Sequence, residues 1–60
     1  MTPEEMIGKR IYPIPWPQLY GLEIERVVRK AFPNDDESTL WIVKCKGKRN
    51  HYQIYENEMV

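Results

Sequence analysis

The chain has 60 residues, with nine basic and nine acidic side chains, and its net charge is zero when the histidine is neutral. A domain of this length buries only about 60% of the surface of its unfolded chain, which excludes a buried catalytic cleft of the usual enzyme size. Zero net charge argues against a dedicated nucleic-acid-binding protein, because such proteins usually depend on excess positive charge.

The single cysteine and the single histidine limit the chemistry further. Cys45 cannot form an intramolecular disulfide, and a lone thiol is typical of a reducing compartment, so we expect a cytoplasmic protein. Cys45 and His51 are too few soft ligands for a structural zinc site. We predict no metal and no cofactor, with Cys45 in the core and His51 exposed. The chain shows neither the regions of a signal peptide nor a stretch apolar enough for a membrane helix.

A helix of about one turn is predicted at the start of the sequence. Thr2 is a helix-capping residue, Pro3 suits the first helical position, and Glu5 completes a capping box with Thr2. Gly8 is expected to end the helix, because glycine readily adopts the left-handed conformation found after helix C-termini.

Lys9 to Ile14 is predicted as a first extended segment that runs into a proline-rich loop. Pro13, Pro15 and Pro17 each fix their own φ and push the preceding residue toward extended conformations. This region therefore cannot be a central strand. A turn at Tyr20-Gly21 is expected to end the loop.

The longest predicted strand runs from Leu22 to Phe32. Apolar and acidic residues alternate from Leu22 to Glu25, as in a strand with one buried face. Two adjacent valines, Val27 and Val28, break the alternation and predict a β-bulge. A helix over residues 21–31 is the alternative, but the β-branched side chains of this region favour the strand.

The rest of the chain alternates polar connections with strands. Trp41, Val43 and Cys45 share one face of a segment rich in β-forming residues. The predicted order is an acidic loop at 33–38, a strand at 39–46, a hairpin turn at 47–50, a strand at 51–55, a 3₁₀ turn at 56–58 and a closing strand at 59–60. We therefore predict one mostly β domain over residues 1–60, a small barrel of about five short strands with a one-turn N-terminal helix.

Five stretches carry a further pattern: Gly8-Lys9-Arg10-Ile11, Tyr20-Gly21, Ile24 to Val28, Trp41-Ile42-Val43 and Tyr52 to Tyr55. Together they resemble SH3-like barrels of the KOW and Tudor kind. In those barrels a glycine precedes the first strand, a second glycine follows the first loop, and the closing strand ends in a turn of acidic and apolar residues. The resemblance implies a single SH3-like domain.

A narrower pattern lies in the last long strand, at Gln53-Ile54-Tyr55. It is similar to the Gln-Ile-Tyr of plasmid-type (type II) dihydrofolate reductases, which are SH3-like barrels that form a tetramer around one pore. The resemblance implies pore positions for Gln53, Ile54 and Tyr55, with NADPH as the cofactor. Two positions differ from that family: Pro13 stands in place of its pore lysine, and Tyr52 in place of a small residue.

The aromatic residues are divided between the core and a binding surface. We assign Phe32 and Trp41 mainly to the core, because a small barrel needs a few large side chains. Trp16 lies between two prolines, and with Tyr12 and Tyr20 it predicts a surface that binds a protein partner through rigid rings. The alternative is that Trp16 closes an open end of the barrel.

Two runs of charge complete the candidate sites. The basic residues alternate along a strand into a hairpin tip: Lys44, Lys46, Lys48 and Arg49. One interpretation is a solvated face that discourages edge-to-edge pairing. The other is contact with nucleic-acid phosphates, with Tyr52 or Tyr55 stacking on bases. The acidic run at 35–37 is expected to be solvated, because it lacks the spacing of a calcium loop.

Three functional hypotheses follow, in order of preference. The first is a small non-catalytic module that binds a protein partner through the Tyr12 to Tyr20 loop, of the kind that phages and mobile elements use as accessory proteins on host factors. The second is a nucleic-acid-binding SH3-like domain. The third is a homotetramer similar to type II dihydrofolate reductase. The oligomeric state, left open by the sequence, separates the third from the others.

Overall fold

The computed structural model describes residues 1–60, and its regular part is one antiparallel sheet. The sheet has three strands in the order β1-β2-β3. Along the chain the elements are helix α1 (Pro3–Met6), a 3₁₀ helix (Pro17–Leu19), β1 (Ile24–Lys30), β2 (Leu40–Cys45), β3 (His51–Tyr55) and a second 3₁₀ helix (Glu56–Glu58). The mostly β class, the short helix and the 3₁₀ turn at 56–58 are confirmed.

Helix α1 is held by the capping interaction that the sequence predicts. The Thr2 backbone N–H and hydroxyl both donate to Glu5 Oε1, at 3.2 and 3.0 Å. These two bonds lower the pKa of the Glu5 carboxyl below its ordinary value. The helix ends before Gly8, whose φ of +90° lies in the left-handed region that favours glycine. Met6 is thereby turned into the core.

Strand β1 is bent, and the helix considered for residues 21–31 is wrong. Its pairing with β2 is irregular twice, between Ile24 and Arg26 and between Val27 and Arg29. The second irregularity includes Val28, as the broken alternation predicts. The first was not predicted. A bulge increases the local twist and bend of a strand, so β1 curves around the core.

Strands β2 and β3 form a regular hairpin in the predicted places. Trp41 pairs with Ile54 and Val43 with Tyr52. Trp41, Val43 and Ile54 are all at most 9% exposed. The Trp41 indole N–H donates to Glu56 Oε2 at 2.7 Å, which leaves no unsatisfied polar atom on this large side chain.

The two ends of the chain meet beside the sheet without forming regular strands. Isolated bridges pair Arg10 with Glu23 and Ile11 with Met59. Arg10 and Val60 exchange both backbone hydrogen bonds at 2.8 Å. The segments at 9–14 and 59–60, expected as a first extended segment and a closing strand, therefore contribute bridges, and the regular sheet has three strands. The predicted five-strand barrel is not confirmed.

Nine buried side chains form the core: Met6, Ile11, Leu19, Ile24, Trp41, Val43, Cys45, Ile54 and Met59. Burial raises the pKa of the Cys45 thiol. The assignment of Phe32 to the core is wrong, because its side chain is 57% exposed. β1 ends at Lys30, and Phe32 already lies in the connection to β2. No helix of the structure has the length and apolar composition needed to cross a bilayer.

We expect Ile54→Ala to lower the free energy of unfolding by about 2–5 kcal/mol, because it leaves a cavity where a side chain is fully buried. Ile54→Val should lower it by about 0.5–1.5 kcal/mol. Ile14→Ala is the matched control, because Ile14 is 75% exposed, and its effect should stay within about 0.5 kcal/mol. Urea unfolding followed by circular dichroism measures all three. Equal losses for the two alanine variants would contradict the assigned core.

Candidate functional site

The proline-rich loop fixes the backbone around Trp16 while leaving its side chain accessible. The Trp16 N–H donates to the Pro13 carbonyl, and the Leu19 N–H donates to the Trp16 carbonyl, both at 3.0 Å. Pro17 begins the first 3₁₀ helix, and Leu19 at its end is buried. The Trp16 side chain is 44% exposed. A large aromatic ring is thus presented from a constrained loop.

Glu58 connects this loop to the end of β3. Its Oε2 accepts from the Ile14 N–H at 3.1 Å and its Oε1 from the Tyr55 N–H at 3.2 Å. The Glu58 backbone carbonyl accepts from the Tyr12 N–H at 2.8 Å. This role of Glu58 was not predicted, because Ile14 and Glu58 lie 44 positions apart and leave no local signal in the sequence.

Two cavities share Trp16 and Gln53 in their walls. The larger, of about 740 Å³, is lined from the loop, from β3 and from the hairpin by Trp16, Gln18, Leu19, His51, Tyr52, Gln53 and Lys48. The smaller, of about 180 Å³, is lined by Pro15, Trp16, Leu40, Gln53, Tyr55 and Glu58. The larger cavity is an open surface groove and not a buried cleft, and its volume falls within the range of about 300–1,000 Å³ typical of ligand sites.

Tyr12 and Tyr20 form a separate aromatic pair. Their rings pack edge to face, with centroids 5.8 Å apart and planes at 64°, and the side chains are 40% and 47% exposed. Neither lines either cavity. The structure therefore groups Trp16 with Gln53 in the cavity walls, whereas the sequence grouped it with these two tyrosines.

Half of the basic run is occupied in ion pairs. Lys44 Nζ lies 2.9 Å from Glu25 Oε2, and Lys46 Nζ lies 2.7 Å from Glu23 Oε2. The lysine hydrogen bond and its positive charge lower the pKa of each glutamate below its ordinary value. The same contact raises the pKa of Lys46. These two lysines are largely neutralised from within the chain.

The other half of the basic run lies at the hairpin tip. Lys48 and Arg49 are exposed and take part in no salt bridge. Lys48 also lines the larger cavity, together with the exposed His51. Two unpaired positive charges therefore lie beside β3, although the whole chain is neutral.

The residues of the reductase-like motif are placed differently from one another. Gln53 is exposed, Tyr55 is 50% exposed and Ile54 is fully buried.

The remaining candidate ligands and nucleophile do not form a site. Cys45 is fully buried. The acidic run at 35–37 is exposed, and no group of three or more His, Cys, Asp or Glu side chains is arranged to hold a metal ion.

Comparison of the chain with models of protein families, with curated proteins and with solved structures found no match. The evidence on function is therefore the geometry of the site. Its central features are the fixed backbone of Trp16, the two cavities that share Trp16 and Gln53, and the free cations at the hairpin tip.

The two ion pairs predict a pH-dependent stability. A carboxyl whose pKa is lowered on folding, as for Glu23 and Glu25, contributes stability that is present above its unfolded pKa and is lost as the pH falls through its folded pKa. We expect the melting temperature of the wild type to fall more steeply between about pH 5 and pH 3 than that of a Glu23→Gln/Glu25→Gln variant.

An Asp36→Asn/Glu37→Gln variant is the matched control, because it removes the same charge from residues that form no salt bridge. It should keep the steep acid dependence of the wild type. About 0.5 M NaCl should narrow the difference between the wild type and the Glu23→Gln/Glu25→Gln variant, because these pairs are solvent-accessible. Parallel melting curves for the wild type and this variant across the acid range would contradict the assigned pairs.

Proposed function

We propose that this chain is a small non-catalytic module that binds a protein partner, with the ligand docked against Trp16. The observation that carries the proposal is that Trp16 is exposed on a constrained backbone and lines both cavities of the molecule. Gln53 faces it from β3 in the same two walls. The binding surface is defined as these two residues with Leu19, Tyr52 and Lys48.

The energetics of this surface favour binding. Tryptophan is among the residues that contribute most at protein interfaces, because it buries a large area. Pro15 and Pro17 restrict the chain on both sides of Trp16 before any ligand arrives, so little conformational entropy is lost on docking. The half-buried Tyr52 supplies apolar area beside it, Leu19 adds little because it is only 8% exposed, and Lys48 supplies charge at the rim.

The fold that we propose for this module is an SH3-like barrel. Two observations support it: the two register irregularities of β1, of the kind that bend a strand, and the bridges that place residues 10–11 between 22–23 and 59–60. In this interpretation the bridged segments are the outermost short strands. The role that we propose is that of a cytoplasmic accessory protein, of the phage or mobile-element type, that acts on a host factor; the single cysteine, typical of a reducing compartment, supports the cytoplasmic part.

Two alternatives rank below protein binding. Nucleic-acid binding would use Lys48 and Arg49, but Lys44 and Lys46 are already paired with glutamates. A type II reductase-like enzyme would need four copies of the chain to form a pore around Gln53, together with NADPH. Light scattering separates this enzyme from a monomeric module, and oligonucleotide retention at low salt tests the nucleic-acid alternative.

We expect Trp16→Ala to weaken the binding of peptide ligands by about tenfold or more, as loss of a central interface tryptophan usually does. The probes are sequences that the wild type selects from a phage-displayed library of random ten-residue peptides, and their affinities are measured by calorimetry. Phe32→Ala is the matched control, because Phe32 is an exposed aromatic residue that lines neither cavity, and it should bind with wild-type affinity.

Unfolding curves must first show that both variants are folded. A library that yields no ligand, or a folded Trp16→Ala variant that binds like the wild type, would overturn the proposed function. Loss of affinity in Phe32→Ala as large as in Trp16→Ala would show that the surface has been placed wrongly.

A further inference from the structure

Strand β3 has one open edge. The sheet order β1-β2-β3 leaves no strand beyond it, and the backbone groups of successive residues in a strand point to opposite sides. The Glu56 N–H donates toward β2, to the Thr39 carbonyl at 3.0 Å. Counting back along β3 from Glu56, the backbone N–H and C=O groups of every second residue point toward β2. The residues whose backbone groups point outward are His51, Gln53 and Tyr55.

Most of the backbone groups on this edge have no partner. The Tyr55 N–H donates to Glu58 Oε1 at 3.2 Å, which closes one end. No hydrogen bond outside the sheet uses the backbone N–H or C=O of His51 or Gln53. Both residues are exposed. The open edge is therefore short, two outward-facing residues with a donor and an acceptor each.

The larger cavity lies along this same edge. His51 and Gln53 form one wall, and Trp16 and Leu19 of the proline-rich loop form another. Adjacent strands lie about 4.8 Å apart, so an extended chain bonded to β3 would occupy the cavity that Trp16 also lines. No other strand of the protein occupies the edge.

The charge at this edge is unequal. Lys48 lines the larger cavity and Arg49 follows it, and neither has a carboxylate partner. No acidic residue lines the larger cavity. Glu58 lines the smaller one, at the Tyr55 end of the edge. A ligand lying along β3 thus meets positive charge at the His51 end and negative charge at the Tyr55 end.

We propose that the ligand of this module is an extended acidic peptide that adds to β3 as a fourth strand. Its backbone bonds to the N–H and C=O groups of His51 and Gln53, an apolar side chain packs on Trp16, and an Asp or Glu side chain pairs with Lys48. Main-chain bonding of this kind supplies affinity, while the flanking side chains supply selectivity. The inference rests on the proposed function, because it uses the same surface.

A second copy of the chain fits the edge less well than a peptide does. Antiparallel pairing of two β3 strands about Gln53 would set His51 of one copy against Tyr55 of the other. The Tyr55 N–H is already bonded to Glu58. Self-pairing would therefore lose bonds at both ends, whereas a peptide uses only the open stretch.

The first test compares Gln53→Pro with Gln53→Ala. Proline at position 53 removes the outward-pointing N–H but breaks no bond to β2, and edge strands tolerate proline where the N–H faces solvent. Alanine keeps that N–H. For a peptide selected from the random library by the wild type, Gln53→Pro should lose about tenfold in affinity relative to Gln53→Ala. Equal affinity of the two folded variants would overturn strand addition.

The second test needs no variant of the protein and so does not depend on the folding of Gln53→Pro. The selected peptide is N-methylated at one residue at a time. Methylation should lower its affinity about tenfold at every second position and leave it unchanged at the positions between, since only alternate peptide N–H groups face β3. Amide exchange at His51 and Gln53, followed by NMR, should slow when the peptide is added. Unchanged exchange at both amides, or no alternation, would overturn strand addition.

The third test concerns charge. Lys48→Ala should lower the affinity for the selected peptide about fivefold and reduce the salt dependence of binding. Arg26→Ala is the matched control, because Arg26 is exposed on β1 at the other edge of the sheet. This variant should bind the peptide with wild-type affinity. Replacing the peptide's acidic residues by their amides should have the effect of Lys48→Ala. Equal losses in Lys48→Ala and Arg26→Ala would overturn the acidic preference.

The outcomes separate the two proposals. Peptides that depend on Trp16 but show neither alternation nor slowed exchange would leave the proposed function standing and overturn strand addition alone. Failure to select any peptide would overturn both. A dimer by light scattering without peptide, with His51 and Gln53 already protected from exchange, would overturn the peptide as occupant in favour of a second copy.

Discussion

The placement of β2 between the other two strands, with one face in the core, is the constraint on which the rest of the structure depends. Trp41 lies on that face, is 9% exposed, and donates from its indole N–H to Glu56 Oε2 at 2.7 Å. Lys30 Nζ lies 5.8 Å from the centre of the Trp41 ring, within cation–π range. Trp41 thus contacts β1 on one side and the turn after β3 on the other. With β3 held on its inner side, only its outer edge is available.

The available edge becomes a site because Glu58 draws the proline-rich loop toward it. One carboxylate accepts from Ile14 in the loop and from Tyr55 at the end of β3. These bonds link the loop to the strand, and Trp16 of the loop and Gln53 of the strand share two cavity walls. The carboxylate acts together with the backbone bond from the Tyr12 N–H to the Glu58 carbonyl and with the buried side chain of Leu19, which also hold the loop.

Local charge is more informative than net charge in this protein. Pairing with Glu23 and Glu25 occupies two lysines of the basic run on the side of β1 and β2. Lys48 and Arg49 at the hairpin tip have no such partner. A neutral chain therefore carries a small positive region where the edge of β3 is open, which is the basis for expecting an acidic ligand.

The sequence by itself determined the local features: the helix capped by Thr2, the bulge at Val27-Val28 and the hairpin of β2 and β3. Each depends on residues a few positions apart. Phe32 was misplaced because the end of β1 depends on its pairing with β2. The segments at 9–14 and 59–60 formed isolated bridges and not regular strands, again because pairing between distant segments decides where a strand forms. Only the tertiary structure decided that Trp16 shares its cavities with Gln53, because contacts between residues far apart in the chain, such as Ile14 with Glu58, leave no periodic pattern to read.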